Sequence, residues 1–460
     1  MLDKVLDHID AELETSLERL FELLRIDSVS TDPAYSASCA RAADWLAAEL
    51  KQLGFDASVR PTPGHAMVVG HGPQAGSTGP HVLFYGHYDV QPVDPLNLWE
   101  TPPFEPRMVT RDDGSRMIVG RGAADDKGQL MTFLEACRAW KAVAGELPVQ
   151  VSVLLEGEEE TGSPSLLPFL EANREELSLD LALVCDTTMW NSQTPVITTM
   201  LRGMFSTDVV ITAADRDLHS GRFGGPARNP IKALASIIGQ LHDETGRVTI
   251  DGFYDDVREL PDDIKAAWQA LGVSEADYLG AIGLTETAGE QDRSLLEQNW
   301  ARPTCEINGI FGGYTGEGFK TVIPSKASAK VSFRLVADQD PAAIREAFHA
   351  FVDDRLPPDC TVEFSSHAEN RAIAMPFDSE PLTRAAAALE REWGRAPALL
   401  GAGGSIPIVG EFKRMLGMDA LLIGFSLADD NVHSPNEKYD LSSFHGGIRS
   451  WARIMAALAD

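Results

Sequence analysis

The chain has 460 residues, with 39 Lys+Arg against 69 Asp+Glu and a net charge of −30, a surface that repels nucleic acid and anionic membranes. A hydrophobic fraction of 44% and a charged fraction of 23% are those of a globular protein, and the length predicts two or three domains, each with its own core. The five cysteines, Cys39, Cys137, Cys185, Cys305 and Cys360, are scattered and never in C-x-x-C spacing, which argues against a disulfide framework and against a thiolate zinc site.

The first residues are charged throughout and carry no apolar signal region, and no run of about 18 apolar residues follows anywhere. A cytoplasmic protein without a membrane span is expected. Leu6, Ile9, Leu13, Leu17, Leu20, Phe21 and Leu24 recur at helical spacing and predict a helix over 2–25. A second helix fits 37–53, with Gly54 as its stop. Apolar strands then follow at regular intervals: His81–Tyr85 before GHYD, Val149–Leu155 before EGEEETGS, and Leu181–Cys185 before Asp186. A helix beginning near Gly128, with Leu130, Phe133, Leu134, Cys137 and Trp140 on its stripe, lies between the first two. This alternation predicts an α/β unit with a mostly parallel central sheet.

Near residue 200 the pattern changes. Strand 205–213, helix 229–242, strands 304–311 and 327–336, helix 341–354 and strand 360–366 give the order β-α-β-β-α-β of a ferredoxin-like α+β unit. Residues 243–303 read as an irregular insertion within it. A helix near 380–393 and a strand near 419–425 resume the first pattern. The expected organisation is a catalytic, metal-binding domain from 1–199 and 380–460, interrupted by an inserted lid or dimerisation domain over 200–379.

The polar residues after the strand ends carry the chemistry. They are His87, Asp125, Glu159 with Glu160, Asp186 and His433, and open α/β sheets place ligands at the carboxyl ends of their strands. Taken singly, each has an ordinary structural reading: a lone His after a strand, a solvated acidic loop, a turn Asp. Together, the two imidazoles and three of the four carboxylates suit a pair of borderline-hard divalent ions, of which zinc is the usual occupant. A carboxylate can span two ions about 3.5–4 Å apart, and Asp125 is the candidate bridge. Asp89, two residues after His87, can accept the imidazole N–H not used for metal. The neighbours Glu159 and Glu160 diverge in an extended turn, so one can hold metal while the other takes the proton of an attacking water. The HExxH signature is absent.

The strings GHYDVQP, GRGAADDKG, EGEEETGS and DDNVHSPNE resemble the cocatalytic zinc metallopeptidase family of carnosinase, bacterial dipeptidases, carboxypeptidase G, acetylornithine deacetylase and succinyl-diaminopimelate desuccinylase. The resemblance runs along nearly the whole chain. It is strongest to the carnosinase-like dipeptidases, because DLHSGRFGG, GGYTGEGFKTVIPSKASAKVSFRLV and GGSIP match as well. It implies two Zn2+ per chain, with Mn2+ or Co2+ as substitutes. His87 and Asp186 would hold one ion, Glu160 and His433 the other, Asp125 would bridge, and Glu159 would be the general base. The Asp125–Asp126 peptide is expected to be cis. His219 would stabilise the oxyanion, Arg334 would grip the substrate carboxylate, and Thr321 and Ser405 would make further substrate contacts. A homodimer through the inserted domain is implied too.

One departure is Gly401-Ala402 before GGSIP, where many members of that family carry Arg-Glu. The change removes two charges near the expected substrate end and leaves the zinc donors intact. The expected function is hydrolysis of a dipeptide or a similarly small amide. An N-acyl amino acid deacylase or carboxypeptidase of the same family would use the same water attack. A non-catalytic binder on this fold is the rival of another class, and a binder has no need of a base such as Glu159.

Overall fold

The computed structural model describes residues 1–73, 79–403 and 407–459. It divides into two compact units, one of Met1–Thr199, Met375–Leu399 and Glu411–Asp460, the other of Met200–Ala374 and Leu400–Gly410.

The first unit is built on a sheet whose centre is parallel. Strands Gln150–Glu156, His81–His87, Leu181–Val184 and Asp419–Leu422 lie side by side in that order, all parallel. On one flank Met67–His71 and Asp56–Arg60 continue antiparallel, and on the other Val196–Leu201 joins antiparallel at Leu422↔Thr198. The central strands are buried almost end to end, as parallel strands covered on both faces must be. Helix Lys127–Ala144 covers one face. Its Phe133 stacks on Phe84 with centroids 3.9 Å apart, and Trp451 of helix Leu441–Ala459 meets both rings edge-on. The register pairs His87 with Glu156 and Tyr85 with Val184. The carboxyl ends of three strands are therefore level, and the residues after them are delivered to one edge.

The helix expected over 2–25 is two helices, Leu2–Ala11 and Leu13–Leu24, parted at Glu12 with φ −100° and ψ 10°. Both pieces bury their apolar residues in the same core. The stripe continues across the break, which no Gly or Pro marks, so periodicity could not show it.

In the second unit four antiparallel strands lie in the order Thr304–Gly312, Lys326–Leu335, Gly203–Thr212, Thr361–Asn370. Burial alternates along Gly203–Thr212, so one face is buried and the other is not. Helices Pro230–Ile238 and Pro341–Asp353 supply Leu234, Ile237, Ile344 and Phe348 to the core beneath that face. Each starts on a side-chain cap, Asn229 or Asp340, with proline in the first turn. Leu400–Gly410 packs with this unit, whereas the sequence pattern puts 380–460 wholly in the first. A Cβ at Gly401 would stand 2.6 Å from the Cβ of Trp300. Such a glycine-rich segment has no apolar stripe to reveal which core it joins. Among the described residues no helix is long and apolar enough to cross a membrane.

Candidate metal centre

His87 is the last residue of its strand and is fully buried. Asp125 sits in the turn before helix Lys127–Ala144, Glu159 and Glu160 in the short turn Glu159–Thr161, and Asp186 two residues past Leu181–Val184. His433 follows Asp419–Leu422 on a loop, with φ +61°, a left-handed backbone that a non-glycine residue adopts only when its surroundings hold it there. These side chains converge. His87 Nε2 is 3.0 Å from Asp125 Oδ1 and 3.9 Å from Asp186 Oδ2. His433 Nε2 is 2.9 Å from Asp125 Oδ2 and 3.3 Å from Glu160 Oε2. Two donor groups result, His87-Asp125-Asp186 and Asp125-Glu160-His433, each with its ligand atoms within 4.8 Å of one another. Asp125 belongs to both and turns a different oxygen to each imidazole.

A second layer of buried polar groups fixes these donors. Asp89 accepts from Ser30 Oγ at 2.6 Å and from the backbone N–H groups of Glu159 and Glu160 at 3.2 and 3.1 Å, while its Oδ1 lies 3.4 Å from His87 Nδ1. His87 Nδ1 is closer still to the Asp89 backbone carbonyl, at 3.1 Å, so this one residue orients the imidazole through its carbonyl and carboxylate and the glutamate turn through its carboxylate. Glu437 Oε1 accepts from the N–H groups of Ala124 and Asp125 at 2.9 and 3.0 Å. Its Oε2 accepts from Gly122 N–H at 2.9 Å and Arg121 Nη1 at 2.7 Å. This clamps the Asp125 turn to the loop that bears His433. The Asp125–Asp126 peptide is cis. Asp126 is fully buried and accepts from the His87 N–H at 3.2 Å. Gln91 donates to Glu160 Oε2 at 2.7 Å. Sequence reasoning passed over Glu437, Gln91 and Asp126, although all three lie inside the quoted motifs. Nothing in a linear string separates a buried hydrogen-bonding acid from a solvated one.

The electrostatics call for cations. Burial raises the carboxyl of Asp186 far above its usual range, and the charges of Asp125 and Asp126 push it the same way. Burial also raises Glu159, helped by Glu160, Asp125 and Asp89. Burial alone would lower His87, but Asp125 and Asp89 hold it well above an ordinary imidazole. Hydrogen bonds to Asp125 and Glu160 lift His433 to about 10. Glu160 Oε1 is buried with no hydrogen-bond partner among the described residues, and a buried oxygen left bare is costly. An acid-rich pocket of His and carboxylate donors with one orphaned oxygen fits divalent metal ions.

The remaining expected residues lie elsewhere in the chain. His219 is exposed in the second unit, where it pairs with Val322 and its Nδ1 accepts from Gly221 N–H at 3.0 Å. Thr321 is beside it, its carbonyl accepting from Ser220 N–H at 3.1 Å. Arg334 is on strand Lys326–Leu335 of the other sheet in that unit. Ser405 lies outside the described residues.

The family model described as peptidase family M20/M25/M40 matches residues 83–457. The Cys-Gly metallodipeptidase DUG1 of Saccharomyces cerevisiae is 31% identical, over 99% of this chain and 97% of its own length. The Beta-Ala-His dipeptidase of Homo sapiens is 28% identical, over 100% and 93%. Among solved structures, the M20 family metallo-carboxypeptidase Sso-CP2 of Sulfolobus solfataricus superposes with TM-score 0.78 at 30% identity, covering 96% of this chain and 99% of its own.

Proposed function

Because this chain belongs to peptidase family M20/M25/M40, we propose that it hydrolyses dipeptides at a pair of zinc ions, with Glu159 as general base. It is a metallopeptidase, and the family implies a divalent metal. The observation that carries the two-ion reading is Asp125, which turns one oxygen to His87 and the other to His433. His87, Asp186 and Asp125 would hold one ion and Glu160, His433 and Asp125 the other. When bound, such a pair supplies Lewis-acid polarisation and lowers the pKa of water towards about 7.

The protein's own groups divide the rest of the work. Glu159 makes no side-chain hydrogen bond among the described residues, and burial raises its carboxyl above the usual range. A base brought nearer neutrality can take the proton of the attacking water and return it to the leaving amine. Asp89 positions His87 and the Glu159–Glu160 turn. His219 would donate to the oxyanion, and Thr321, Ser405 and Arg334 would bind substrate, with Arg334 matching both carboxylate oxygens through its two parallel donors. A homodimer through the second unit is part of this reading. Edge strand Thr304–Gly312 exposes Ile310 and Phe311 by more than half, and an apolar sheet edge invites pairing. All five free cysteines are buried, which suits a reducing compartment, and the cytoplasm is the proposed location.

A second reading, an N-acyl amino acid deacylase or carboxypeptidase, draws on Gly401-Ala402, which offer no charge for a free amino terminus, and on the structural similarity to Sso-CP2. Unblocked dipeptides assayed beside their N-acylated counterparts, with zinc and with manganese, decide between the two. Turnover of free dipeptides alone supports the first reading, and turnover confined to blocked substrates replaces it with the second.

A further inference from the structure

Arg202 lies between strands Val196–Leu201 and Gly203–Thr212 and is only 9% exposed. Among the described residues its one hydrogen-bond partner is the carbonyl of Gly403, which accepts from Nε at 3.1 Å. No described carboxylate is within ion-pair distance of it. A buried guanidinium without an anion is unfavourable. A second cation stands nearby. The register pairs Gly203 with Leu335 and Met204 with Arg334, which sets Arg202 two residues along the chain from Met204, the cross-strand partner of Arg334. Burial first, and the charge of Arg334 second, lower the Arg202 guanidinium to about 10. Arg334 too has no ion pair among the described residues.

Among the described residues nothing pairs with either charge. Glu306 is the acid whose field reaches Arg202, but it is exposed on strand Thr304–Gly312 and pairs with neither arginine. Gly401, Ala402 and Gly403 bring backbone and one methyl group. A Cβ at Gly403 would stand 3.2 Å from Arg202 Nη2, so the guanidinium fork lies against bare backbone. Two like charges lie within reach of each other's field with donors to spare, an arrangement that an incoming dianion would relieve.

We propose that Arg202 and Arg334 form a dianion subsite that selects substrates whose C-terminal residue has an acidic side chain. Arg334 takes the α-carboxylate and Arg202 the side-chain carboxylate. This rests on the reading of Arg334 as the carboxylate-binding residue. A neutral C-terminal residue brings one negative charge to two guanidiniums and leaves one unbalanced, whereas glutamate or aspartate brings two. Each carboxylate can accept a pair of parallel N–H donors from its own guanidinium.

The test compares Ala-Glu with Ala-Gln, near-isosteres that differ in the second charge, on the zinc-loaded enzyme. In parallel, calorimetry measures the binding of free glutamate and free glutamine. Wild type is expected to favour Ala-Glu in kcat/KM by about tenfold or more, as a site built for a polar group rejects the analogue lacking it, and to bind glutamate more tightly than glutamine. In Arg202→Gln both ratios should fall to about one, while Arg202→Lys should keep part of the preference. Equal treatment of the acid and amide by wild type, or a preference that survives Arg202→Gln, overturns the proposal. If wild type cleaves neither dipeptide, the dipeptidase reading fails, and the calorimetric ratio alone decides the subsite. If the Arg202 variants do not fold, the two wild-type comparisons still decide it.

Discussion

Glu159 and Glu160 adjoin in the chain but meet different surroundings. Glu160 faces Gln91 and His433, while Glu159 is left to burial and the field of its neighbours. The two should therefore fail differently. Glu159→Gln keeps the shape of the side chain and removes its ability to accept a proton, so kcat should fall by about 10²–10⁴ with metal content unchanged. Metal analysis beside steady-state kinetics checks this, and retention of a tenth of the wild-type rate would show that another group is the base. Asp125 is different in kind because both donor groups share it. Asp125→Ala leaves two protein ligands per site, too few for tight zinc binding. The variant should lose both ions on gel filtration, and two retained equivalents would refute the bridge.

At the scale of elements, the site depends on how the Asp125 turn meets the helix after it. Gly128 is in the first turn of helix Lys127–Ala144, where a Cβ would stand 1.8 Å from the Ala123 carbonyl oxygen and 2.9 Å from Tyr439 Cδ1. Neither neighbour is a flexible chain end. The backbone carrying Asp125 must move to accept a methyl group, although helix propensity alone would favour Ala by about 1 kcal/mol. Gly128→Ala should therefore lower both metal occupancy and Tm. Unchanged metal affinity with a raised Tm would show that the turn is not coupled to the donors. Sequence periodicity placed this helix and the strands around it, because a buried stripe or run repeats along the chain. It did not place the clamp by Glu437, since the four donors that converge on that carboxylate come from residues some 300 positions away.

For the whole molecule, the donors all lie in the first unit and His219 in the second. If the second unit forms the dimer and lends His219 to the partner's site, two inactive variants should restore each other. Mixing Glu159→Gln with His219→Ala chains gives heterodimers with one site that has both an intact base and a borrowed imidazole. After full subunit exchange, activity should approach about a quarter of wild type per chain, because half of randomly paired dimers are mixed and each has one complete site. Verified exchange with no recovery would assign His219 to its own chain or to no catalytic role. Alone, His219→Ala should lower kcat by about 10²–10³, the usual effect of losing an oxyanion donor.

By itself the sequence determined the α/β class with its mostly parallel central sheet and the metallopeptidase motifs, and it offered the candidate donors, because these are carried by local periodicity and by polar residues that follow strand ends. Tertiary structure alone decided which oxygen of Asp125 faces which imidazole, that Asp89 serves His87 and the Glu159–Glu160 turn together, that Leu400–Gly410 joins the second unit, and that Arg202 is buried with no ion-pair partner among the described residues. Each of these depends on groups distant in the chain being brought within a few ångströms, and distance and desolvation are properties of the packed molecule that no local pattern of residues records.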